Sequence, residues 1–185
     1  MFVANCVHEP VRIKTPRLPS PPSPTQLPLP STAATQTSSP VEEFRAFMRS
    51  ASSMQRVLVE REGVPARVVE SLLERMRATP AEFRQITGMP RSSLPRKLRE
   101  AGMVASGGGL AVVCLIDMIN RVEDMLNADG DEIARGFDVF EWLGRWMRRP
   151  QRALAGMTPM ELIDTPTGRQ LVVRLIGAMQ SGVYL

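Results

Sequence analysis

The sequence predicts an all-α fold, with two helical segments in series behind a Pro-rich N-terminal tail. Three observations carry that expectation. From residue 41 onward, apolar residues recur at about 3.6-residue spacing, the period of a helix face. Two four-residue segments, Thr79-Pro80-Ala81-Glu82 and Thr158-Pro159-Met160-Glu161, have the capping-box pattern with Pro at the first helical position. Aromatic residues make up 5% of the chain while Met occurs 12 times, a balance that suits small helical cores better than a β sandwich. No strand pair or hairpin signal interrupts the pattern.

Residues 1–40 hold nine of the 16 Pro together with ten Ser or Thr. Such a segment buries too little apolar surface to offset its ordering entropy, so it is expected to be disordered, with polyproline II character. Phe44, Met48 and Ala51, then Val57 and Leu58, mark a first helical face. Val64, Val68, Val69, Leu72, Leu73 and Met76 form a clearer stripe, each side chain worth about 1.5–3 kcal/mol if fully buried. The box at Thr79 opens a short helix carrying Phe83 and Ile86 and closed by Gly88. A second short helix follows over residues 91–100, with Ser93 as its N-cap, Pro95 in its first turn and Gly102 as its stop.

Gly107, Gly108 and Gly109 read as a flexible connection. Residues 110–126 then form a long helix, apolar nearly all round at first and later striped by Leu115, Ile119, Val122 and Leu126, which marks it as the central core element. Asp131 is placed to cap the next helix, running through Phe137, Phe140, Leu143 and Trp146 and ended by Pro150. The box at Thr158 opens one short turn. A last helix carries Leu171, Val172, Leu175, Ile176 and Met179 at helical spacing.

The residue inventory argues against catalysis. The single His, His8, lies in the Pro-rich tail, where it has no fixed position as a base. Cys114 falls in an apolar helix without a fixed basic neighbour, so it reads as an inert core thiol. Cys6 and Cys114 have neither disulfide nor zinc spacing. Asn127, Asp129 and Asp131 lack the turn Gly and the closing Glu of a calcium loop. No catalytic residue, metal site or cofactor is therefore expected. The most apolar run, residues 110–116, is stopped by Asp117 and is far too short to span a bilayer. The N-terminus has no signal-peptide order. A soluble, cytoplasmic protein without a membrane partner is expected.

Charge is unevenly placed. Residues 75–100 hold seven basic side chains against two acidic ones, +5 within a chain whose net charge is +4. A local patch of this kind suits contact with phosphates. Residues 80–99 also have the outline of a helix-turn-helix, with Gly88 in the turn and Phe83, Met89 and Leu94 at core positions. Arg91, Ser92 and Ser93 then lie at the N-terminus of the second helix, the end that meets base edges, with Arg96, Lys97 and Arg99 in reach of phosphates.

Two segments read together resemble a family. The run Met89-Pro90-Arg91-Ser92-Ser93-Leu94-Pro95-Arg96-Lys97-Leu98 looks like the recognition-helix signature of the Xre/MbcA/ParS-type antitoxins that pair with RES-domain toxins. Trp146, Pro150, Ala153, Leu154, Gly156, Thr158, Pro159, Met160, Leu162, Thr165, Gly168, Val172, Gly182 and Val183 fall at the spacing of that family's toxin-binding domain. The resemblance covers roughly residues 60–185. Departures are Gly107 to Gly109 in place of a polar stretch, Gln151 and Ala155 where Asn and Gly are commoner, and Ala178, Met179 and Gln180 in place of a charged cluster.

The resemblance implies a DNA-binding domain over 41–130 that contacts operator DNA as a homodimer through Arg91, Ser92, Ser93, Arg96, Lys97 and Arg99. It implies a toxin-binding domain over 131–185, with Trp146, Leu154, Gly156, Pro159, Leu162, Gly168, Gly182, Val183 and Tyr184 at the toxin. It further implies a bacterial partner that consumes NAD and whose active site the antitoxin covers. The residues by themselves leave a second reading open, a free-standing regulator whose C-terminal half only dimerises.

Overall fold

The computed structural model describes residues 39–128 and 136–180. The expected tail lies outside these residues, apart from Ser39 and Pro40, and so does Asp131. Pro40 opens the first helix, α1 (Pro40–Ser50), where its missing N–H costs nothing. Glu42 and Glu43 in the first turn and Arg49 in the last suit the helix dipole. Val41, Phe44, Arg45 and Met48 turn one face of α1 inward.

Ala51 does not continue that face. The backbone is extended there (φ −64°, ψ 130°), because Ser52 starts a new helix, α2 (Ser53–Glu62). Ser52 Oγ accepts the Gln55 N–H and Gln55 Oε1 accepts the Ser52 N–H, a reciprocal box. The break resets the helical phase, so the buried residue of α2 is Val59, while Val57 is exposed.

One expectation about strands is corrected. Val64–Pro65 (β1) pairs antiparallel with Met103–Val104 (β2), Val64 opposite Val104 and Pro65 opposite Met103. Two residues are too few to leave an alternation in a sequence. The ladder clips α3 (Ala66–Arg75), whose Val68, Val69, Leu72 and Leu73 are all buried, to the segment after the next two helices. Those helices are α4 (Pro80–Thr87) and α5 (Leu94–Arg99), and α4 has the expected box between Thr79 and Glu82.

The long helix α6 (Ser106–Ala128) is 23 residues, about 35 Å of rise. Its opening glycines are helical, which corrects their reading as a flexible connection. A Cβ on Gly108 would strike the Thr87 carbonyl, and one on Gly109 the Val104 carbonyl. Small residues are what let α6 start against the end of α4 and against β2. Gly107, by contrast, faces open space.

Beyond α6 come α7 (Val139–Met147), a 3-10 turn (Arg152–Leu154), α8 (Pro159–Leu162) and α9 (Pro166–Gln180). Asp138 caps α7, its Oδ1 accepting the N–H groups of Phe140 (2.9 Å) and Glu141 (3.1 Å). Phe137 thus precedes the helix. In α9, Val172, Leu175 and Ile176 are buried, but Leu171 is exposed. Helices α1, α2, α4, α7 and α9 all pack on α6. A single apolar core runs through the described residues, from Val41 of α1 to Ile176 of α9. Among the described residues, no helix is long and apolar enough to cross a membrane.

Candidate functional site

The basic window folds into two helices joined by a tight turn. Gly88 ends α4 in the left-handed conformation (φ 70°), and its N–H donates to the Arg84 carbonyl at 2.8 Å. Thr87, buried, ties the corner: its hydroxyl donates to the Phe83 carbonyl (2.7 Å) and accepts the Met89 N–H (3.3 Å). Phe83, Ile86 and Leu94 are buried at the centre of the pair, with Met89 and Leu98 packed against them.

Ser93 stands at the N-cap position of α5 but does not cap it. Its backbone is already helical (φ −79°, ψ −17°), its side chain makes no capping bond, and a 3-10 turn over Arg91–Ser93 leads straight into the helix. The cause is Pro95. Having no N–H, it leaves the Arg91 carbonyl to accept from Leu94 instead, in the tighter i to i+3 pattern.

Arg91, Ser92, Arg96 and Arg99 are exposed and Ser93 is half-buried. Arg96 and Arg99, with the exposed Arg84 of α4, have no ion-pair partner among the described residues. Arg91 stands 3.8 Å from Glu74. Lys97 departs from this group: its Nζ donates to the Met103 carbonyl at 2.9 Å, tying α5 to β2. This cation anchors the fold.

In the C-terminal segment four of the nine singled-out residues are buried. Trp146 is 6% exposed and stacks on Trp142, with 6.0 Å between ring centroids; its indole N–H has no partner among the described residues. Leu154 and Pro159 are buried and Leu162 is half-buried. Gly168 is buried one turn into α9, where a Cβ would strike the Leu162 carbonyl. Its N–H donates to Thr165 Oγ1 at 3.0 Å. Gly156 is exposed with φ 83°, a conformation that suits glycine. Gly182, Val183 and Tyr184 lie outside the described residues.

The basic pair and the C-terminal helices are joined directly, through Arg148, to which no sequence pattern points. Arg148, just past α7, donates from Nε to Glu82 Oε1 (2.6 Å) and from Nη2 to Glu82 Oε2 (2.8 Å). It also donates to the carbonyls of Gly144 (2.7 Å) and Arg77 (2.9 Å). The hydrogen-bonded guanidinium holds the Glu82 carboxyl below its ordinary range, and the same contact raises Arg148. One turn further along α4, the Gln85 side-chain amide donates to the Met160 carbonyl of α8 at 2.8 Å.

A second joint is buried. Arg45, 4% exposed, donates to Asn120 Oδ1 at 2.9 Å and pairs with Glu42 and Glu123. The Phe140 ring of α7 lies against both the Arg45 guanidinium (5.1 Å) and that of Arg75 (3.5 Å). Cys114 has the environment of an unreactive thiol, since burial pushes it up to about 12.

Comparison with known proteins fits this arrangement. Residues 55–104, from α2 through β2, match the antitoxin Xre-like helix-turn-helix domain. Residues 135–182 match the antitoxin Xre/MbcA/ParS C-terminal toxin-binding domain. The chain is similar to a Prs ADP-ribosylating antitoxin of Sphingobium sp., 27% identical over 76% of this chain and 87% of the relative. It is also similar to an antitoxin Xre of Photorhabdus laumondii, 25% identical over 66% of this chain and 76% of the relative. With a helix-turn-helix of the first kind hydrogen-bonded to a terminal domain of the second, the chain carries both domains of an Xre/MbcA/ParS-type antitoxin of toxin–antitoxin systems.

Proposed function

We propose that this antitoxin neutralises a RES-type, NAD-degrading toxin in the bacterial cytoplasm and represses its own promoter. The observation that carries the reading is the joint between Arg148 and Glu82. It mounts the toxin-binding segment on the first helix of the helix-turn-helix while Arg96 and Arg99 of the second stay open to solvent. The name of the Sphingobium relative couples an antitoxin with ADP-ribosylation, a chemistry that consumes NAD, and this favours a partner of that class.

On this reading residues 41–130 read operator DNA as a homodimer. Arg91, Ser92 and Ser93 meet the base edges, and Arg96 and Arg99 meet phosphates. Residues 131–185 hold the toxin. The buried Trp146, Leu154, Pro159 and Gly168 shape that surface, while Leu162, Gly156 and residues 182–184 supply contact. The protein performs no catalytic step of its own.

Co-expression with a RES-type toxin from a neighbouring reading frame tests the first half: growth and cellular NAD are restored if the reading holds, and a toxin left active by the full-length chain, or no such reading frame, overturns it. A promoter fragment in a mobility-shift assay tests the second half, where binding weakens steeply with salt.

A further inference from the structure

A groove of about 930 Å³ opens on the face of the molecule between α2, α6 and α9. Its floor is apolar, from Leu110, Val113, Cys114 and Val173. Its charges are unequally balanced. Arg49 and Arg56, on the α1–α2 side, are neutralised by Asp124 and Asp117, and Glu60 adds one exposed carboxylate at that rim. Arg121 of α6 and Arg169 and Arg174 of α9 line the opposite side and have no carboxylate partner among the described residues.

Arg169 is the decisive one. It is 9% exposed, and among the described residues its Nη1 is held by the carbonyls of Ile163 and Asp164 alone, each at 3.1 Å. A buried cation without a counter-charge is costly, and here it lines an open groove.

We propose that this groove docks an acidic segment of a partner protein, anchored by one or two apolar side chains on the groove floor. Arg169 and Arg174 are five positions apart on α9, about 7.5 Å along its axis. Cations spread over that distance above an apolar floor match carboxylates spaced along a peptide better than a single compact phosphate. The volume accommodates several side chains. The inference goes beyond the toxin-binding reading, because much of the groove is built by α1, α2 and α6, outside residues 131–185.

The test uses the full-length protein and fluorescein-labelled synthetic peptides: one of Glu and Leu, one of Lys and Leu, one of Glu and Ser. The Glu–Leu peptide binds best, and added salt weakens it. Joint replacement Arg121→Glu and Arg174→Glu, both at exposed positions, weakens it at least about tenfold while leaving the circular-dichroism melt unchanged. Equal binding of all three peptides, no binding, or undiminished binding by the double variant overturns the proposal. Release of the peptide by millimolar inorganic phosphate does so too and marks a phosphate site instead. Toxin neutralisation is scored separately with the unaltered chain, so its failure would leave the peptide result standing.

Discussion

Arg148 and Glu82, 66 positions apart in sequence, meet in a two-pronged ion pair whose carboxylate also accepts the Thr79 N–H at 2.7 Å. One side chain therefore closes the capping box of α4 and holds the end of α7. Gln in its place keeps an amide oxygen for the cap, as Gln55 does for α2, and removes the charge that pairs with Arg148. Glu82→Gln is expected to lower unfolding stability by about 1–3 kcal/mol, a range already reduced for the partial solvent access of the pair. In a double-mutant cycle with Arg148→Met, measured by urea denaturation, the two changes should fall short of additivity by about 1 kcal/mol.

Acid should erase that difference. Arg148 depresses the Glu82 carboxyl below its ordinary 4.5 in the folded state. A depressed carboxyl adds stability that is fully present above the unfolded value and lost as pH falls through the folded one. The gap between the wild type and Glu82→Gln should hold constant from neutrality to about pH 5 and close below it. A gap that widened on acidification would refute the assignment.

The opening glycines of α6 offer a paired test. Gly107 faces open space, so Gly107→Ala should stabilise the helix by up to about 1 kcal/mol. Gly108 abuts the Thr87 carbonyl, so Gly108→Ala should destabilise by about 1–3 kcal/mol despite the same gain in helix propensity. Opposite signs at adjacent positions in thermal melts would establish that close approach, not flexibility, selects the second glycine.

Lys97 and Arg96 are neighbours with different tasks. Arg96→Ala should leave the melting temperature in place and reduce the salt slope of promoter binding by about one phosphate contact. Lys97→Ala should remove the bond to the Met103 carbonyl, cost about 1 kcal/mol of stability, and leave the salt slope unchanged. A loss of slope at Lys97 would return it to the DNA surface.

The helices were legible in the sequence where local chemistry decides them. The boxes at Thr79 and Thr158 and the stripe from Val68 to Leu73 all fall where the pattern predicts. The box at Ser52 and Gln55 was equally legible and would have placed the break before α2. Other features were hidden because they depend on distant partners. Lys97 could not be separated from Arg96 without knowing that β2 passes beneath it. The glycines of α6 announced small size but not the carbonyls they accommodate. Glu82 was visible as a cap, and nothing near it in the chain pointed to Arg148.

The position of α6, with α1, α2, α4, α7 and α9 all packed on it, decides how the protein is lost. Severed between residues 128 and 136, either part would expose apolar surface that only the other covers. On the proposed reading, a cellular protease that opens this body ends operator occupancy and toxin restraint in one event. On that reading, the promoter is freed at the moment when fresh antitoxin is needed.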